Sequence, residues 1–133
     1  MKAIIDSIRD MVLTCPFLAD ERVNVDYIGV KMSYSINPIP CDPIIRKYVD
    51  GGAIKQFQFA FLSKEEYDDD AMLCIENSGF IQNFEEWLEK NVPDLDGNKN
   101  SVACSVLSRG YLFDTDGNKA QYRVECRLEY EEW

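Results

Sequence analysis

AIKQFQFAFLSKEEYDDDAMLCIENSGFIQNFEEWLEKN, residues Ala53 to Asn91, carries two hydrophobic periods in succession. Phe57, Phe59 and Phe61 alternate with Gln58 and Ala60, so three rings project to one side of a strand. After Asp68, Asp69 and Asp70 the period changes. Leu73, Phe80, Ile81, Phe84, Trp87 and Leu88 recur at spacings of three and four, one apolar stripe on a helix. The three aspartates favour the positive end of that helix, and one can cap it. Gly79 costs about 1 kcal/mol inside a helix, which leaves open one helix or two joined at Asn77-Ser78-Gly79. Pro93 closes the helical region. A strand and a helix that each bury one face need each other, and this pair is the expected core.

Working outward toward the start, Ile4, Ile5, Ile8, Met11 and Val12 fall at helical spacing within Met1 to Leu13, and Cys15-Pro16 ends that helix. A short irregular link with Ala19, Asp20 and Glu21 follows. From Tyr27 the pattern turns to period two, with Ile28, Val30, Met32, Tyr34 and Ile36 on one face of a half-buried strand. Pro38, Pro40 and Pro43 in NPIPCDP cannot donate ladder hydrogen bonds, so this segment is expected to be a bend or an extended arm. Ile44 to Val49 is a candidate second strand, and Asp50-Gly51-Gly52 a hairpin turn into the phenylalanine strand.

Beyond the long helix, DLDGNKN (Asp94 to Asn100) is a turn-rich link into a strand from Val102 to Phe113. DTDGNK (Asp114 to Lys119) makes a hairpin turn. In the strand that follows, Ala120, Tyr122, Val124, Cys126, Leu128 and Tyr130 alternate with Gln121, Arg123, Glu125, Arg127 and Glu129. Eleven residues span roughly 37 Å, well past the usual five or six, so part of this strand is expected to lie outside the chain's own sheet. The order is helix, strands, helix, hairpin. It predicts one α+β domain over residues 1–133, with a four- or five-stranded, mainly antiparallel sheet and two helices on one face.

The 133 residues carry 24 acids and 14 bases, a formal charge of −10. Such a chain repels phosphate backbones, so no direct nucleic-acid affinity is expected. No apolar run approaches the roughly 20 residues of a spanning helix, and the start lacks a signal-peptide cleavage site, so no membrane is expected either. There is no histidine, which removes Ser–His–Asp and Cys–His nucleophiles and every imidazole-bound zinc. Cys15, Cys41, Cys74, Cys104 and Cys126 are scattered, without a CxxC pair, and read as reduced, packed thiols.

DLDGNK and DTDGNK repeat a string that forms part of calcium loops, but neither copy has the remaining ligands or the closing Glu, and both read as turns. Glu65, Glu66, Asp68, Asp69 and Asp70 could gather a hard cation; a helix start prefers acids in any case. No Gly-rich phosphate loop is present. The residues predict no enzyme, no cofactor and no metal. The proline arm, with Pro38, Ile39, Pro40, Pro43, Ile44 and Ile45, places apolar side chains on a backbone that does not easily fold back into the sheet, which reads either as an ordinary buried loop or as a contact surface for a neighbouring subunit. Tyr130, near the end of the long strand, joins that contact set.

As a set, INPIPCDPIIRKYVDGGAIKQFQFAFLSKEEYDDD and ENSGFIQNFEEWLEK resemble the small minor capsid proteins of tailed phages and prophages of Gram-positive bacteria, themselves similar to the tail-terminator proteins of long-tailed phages. The resemblance covers about residues 27 to 130. It implies a structural virion protein: a ring of identical subunits, usually six, at the head–tail junction, with the tail tube and head connector as partners. It also implies assembly in the host bacterial cytoplasm and residence in the virion, and brings no catalytic residues. The residues alone leave two rivals. One is a non-catalytic cellular adaptor or small-ligand-binding α+β module, with an apolar pocket between sheet and helices. The other is a metal-dependent enzyme built on Asp68 to Asp70.

Overall fold

Strand β6 (Lys119–Glu132) lies between β4 (Ala53–Glu66) and β5 (Lys99–Asp116), antiparallel to both. The computed structural model describes residues 3–16, 23–25, 33–66, 71–95, 97–116 and 119–133. Pairing of β4 with β6 is unbroken from Ala53 opposite Glu132 to Glu66 opposite Lys119. The expected overhang of this strand is therefore absent. Its neighbours are as long as it is: β4 has 14 residues and β5 has 18. The phenylalanine strand runs on through Ser63-Lys64-Glu65-Glu66, where polar residues conceal its length.

On the far side of β4, β2 (Ser33–Ile39) pairs antiparallel with Gln58 to Lys64, and β1 (Val23–Val25) pairs parallel with β2. β3 (Ile44–Lys47) pairs antiparallel with Ala53 to Lys55. β2 and β3 thus lie end to end along one edge of β4. The sheet has six strands in the order β1-β2-β4-β6-β5, with β3 beside β2, so no more than five stand abreast. This is the expected α+β class, with one parallel pair at its edge.

One segment departs from expectation. Asn37-Pro38-Ile39 continues β2, opposite Ala60, Phe59 and Gln58, and the bend shrinks to residues 40–43. β1 reaches only from Tyr34 to Ile36, so at Pro38 the strand has a single partner. A proline is tolerated there because its missing N–H can face away from the ladder.

Helices α1 (Ile4–Val12) and α2 (Ala71–Glu89) pack on the face that carries the phenylalanines. Ile8 and Val12 of α1, Phe84 and Leu88 of α2, Phe59 and Phe61 of β4, and Val124, Cys126 and Leu128 of β6 are all fully buried in one cluster. Ring contacts run through it: Tyr34 stacks on Phe61 at 5.8 Å, and Phe61 on Phe84 at 4.0 Å. α2 is one helix, continuous through Gly79. Burying Phe84 and Leu88 contributes roughly 2 kcal/mol each, more than the glycine costs. The expected strand start at Tyr27, the link 19–21 and the acidic run Asp68 to Asp70 lie outside the described residues, as do the side chains of Glu65, Glu66, Leu73 and Cys74.

Candidate subunit-contact surface

The β3 hairpin turns at residues 48–52. Tyr48 N–H donates to the Gly52 carbonyl at 2.7 Å, and Gly51 takes φ +107°, a value side chains resist. Gly52 lies directly under the Trp133 ring; a Cβ there would stand 2.5 Å from Cε3. Trp133 also stacks on Tyr48 with centroids 5.3 Å apart. Glu131 holds both rings, accepting from Tyr48 Oη at 3.1 Å and from Trp133 Nε1 at 2.6 Å. Lost hydration, then the Glu131 hydrogen bond, push the Tyr48 hydroxyl above its ordinary range. The hairpin is clamped to the end of the sheet from inside the chain.

Residues 40–43 are tethered as well. Ile44 N–H donates to Asp42 Oδ1 at 3.1 Å, Gln56 N–H to the Pro43 carbonyl at 2.8 Å, and Gln56 Nε2 to the Asp42 carbonyl at 2.7 Å. This short arm holds its shape without a neighbour. Beneath it, Glu132 accepts from Lys55 of β4 and lies 3.3 Å from Lys99 of β5. The Lys55 hydrogen bond, with Lys99 adding, lowers the Glu132 carboxyl below its usual range. One carboxylate on β6 thereby joins three strands.

What this frame presents to solvent is an apolar strand with two bases, Arg46 and Lys47, and an exposed acid on either side of it, Asp42 and Asp50. All four residues of β3 are exposed, and its register slips between Ile44 and Arg46. Ile45 is the extra residue of that bulge, turned outward at 45% exposure, and Val49 is fully exposed. Arg46 lies 5.6 Å over the Tyr48 ring. Of the contact residues expected from sequence, Pro38, Pro40, Pro43 and Ile44 are exposed and Ile39 is half-buried, all on this edge. Tyr130 does not join them. At 5% exposure it is part of the core, because β6 is central and Tyr130 faces the helices, opposite Lys55 and Ser101. Ile45, expected there too, is exposed as well; sequence reading missed Arg46, Lys47, Val49 and Trp133. The signal available for them was an adjacent Arg-Lys pair flanked by isoleucine and valine in an acidic chain.

Elsewhere the candidate chemistry is sparse. In the first D-x-D-G-N-K copy Gly97 takes φ +70° and Asn98 Nδ2 donates to the Trp133 carbonyl, so this copy is a turn leading into β5. In the second, Asp114 to Asp116 and Lys119 belong to paired strands, and the tip between them lies outside the described residues. Among the described residues, no three acids or cysteines are grouped to hold a metal ion, and no helix is long and apolar enough to cross a membrane. Glu85 is buried on α2 with the exposed Arg109 at 4.0 Å. The chain matches no protein-family model and no curated protein.

Proposed function

We propose that the chain is a structural virion protein of a tailed phage or prophage, a tail-terminator-like subunit that forms a ring at the head–tail junction. The observation that carries this reading is the exposed edge of Ile44, Ile45 and Val49 beside Pro38, Pro40 and Pro43, held rigid by Tyr48, Trp133 and Glu131. Large apolar side chains clamped outward at a sheet edge suit a contact between subunits. The likeness of residues 27 to 130 to the minor capsid proteins of phages supports the same reading. Support from an overhanging β6 falls away, since that strand is paired throughout. Its partners on this reading are further copies of itself, the tail tube and the head connector, met in the bacterial cytoplasm and retained in the virion.

Multi-angle light scattering and negative-stain microscopy test this at high protein concentration, with and without purified tail tubes. The expected result is a closed ring, free or seated on the tube end. A strict monomer that ignores tail tubes sinks the reading and favours an adaptor or small-ligand module.

A further inference from the structure

A groove of about 370 Å³ lies between α1 and the segment after α2, lined by Ser7, Asp10, Asn91 and Asp94 among others. Two observations point to a ligand. Ser7 is 2% exposed, lines the groove, and its Oγ has no hydrogen-bond partner. Leaving such a hydroxyl unpaired costs about 1–3 kcal/mol, which a bound donor would recover. The surroundings are also negative: Asp10 and Asp94 are exposed, and the groove lies just past the C-terminal end of α2, where the helix dipole is negative. At the rim, Val92 is 45% exposed, so the mouth is apolar as well as acidic.

The complement of that groove stands elsewhere on the chain. Arg46 and Lys47 project from β3 among Ile44, Ile45 and Val49, and among the described residues neither base makes an ion pair. We infer that the basic, apolar β3 edge of one copy docks into the acidic groove between α1 and residues 91–94 of a second copy. A cationic head then meets Asp10, Asp94 and Ser7 Oγ, while Ile45 and Val49 cover Val92. The two patches differ, so the contact is heterologous and each copy keeps one free patch for the next. This rests on the ring reading and names the faces that would meet in it.

Two variants and their mixture test it. R46E/K47E keeps the groove and spoils the edge; D10K/D94K keeps the edge and spoils the groove. D94K alone serves if circular dichroism shows the double variant to be unfolded. In sedimentation velocity the wild type is expected to form assemblies that weaken as salt rises. Each variant alone is expected to associate at least about tenfold more weakly. Mixed one to one, they are expected to regain assembly, since the sound edge meets the sound groove and the two reversed faces again carry opposite charges. Variants that assemble like the wild type overturn this docking and leave the ring reading standing. A wild type that stays monomeric even on tail tubes overturns both. If methylammonium shifts the groove's resonances while charge reversal leaves assembly unchanged, the groove takes small amines, and the docking is overturned.

Discussion

Cys104 and Cys126 lie on the helix-facing side of β5 and β6. Burial pushes the Cys104 thiol from its ordinary 9.0 up to about 11. It also raises the Cys126 thiol well above its usual value, with Cys104 and then Glu85 adding. The folded chain therefore keeps protons that the unfolded chain releases, so stability is intact below pH 9 and is lost as pH climbs toward 11. Urea unfolding at pH 8 and pH 10.5 is expected to show a loss to which Cys104 contributes about 2 kcal/mol, a share that disappears in Cys104→Ala. An unchanged pH dependence in that variant would show that the thiol is hydrated. The same burial makes both thiols inert, and at this scale the sequence was legible: a cysteine in phase with Tyr122, Val124 and Leu128 belongs to the core.

Elements were legible where one period ran unbroken. The phenylalanine strand, the α2 stripe and the β6 alternation each announced themselves, and so did the Asp50-Gly51-Gly52 turn. β5 did not. Its 18 residues face 14 on β6, and its register slips at four steps, so apolar positions change face along its length. Val102 and Leu107 fall within two of those slips and end up exposed. A period-two count cannot follow a strand that bulges this often. A third slip spans Gly110, where α2 comes close: a Cβ there would stand 2.1 Å from Ile81 Cγ2. Gly110→Ala is expected to cost about 1–3 kcal/mol in chemical denaturation, and clearly less on an Ile81→Ala background. Equal costs on both backgrounds would mean that backbone freedom, not contact with α2, selects the glycine.

At the scale of the whole molecule, the expected layers appeared while the contact edge was only half visible. Prolines and Ile44 marked where it lies; its rigidity comes from Trp133 and Glu131, more than eighty residues along the chain from β3. No local pattern links residues that far apart. The long β4–β6 pairing has a measurable consequence. With neighbours on both sides, the amides of Val124 to Leu128 are expected to exchange with deuterium only through global unfolding, and more slowly than those of β3. Matching rates would mean that the hairpin and the centre open together. Because Ala53 meets Glu132, β4 leaves the ribosome long before its central partner does. A nascent chain must carry Phe57, Phe59 and Phe61 through that interval with the sheet unfinished. Translation speed over residues 67–118 thus sets how long this sticky intermediate is exposed to aggregation or chaperone capture.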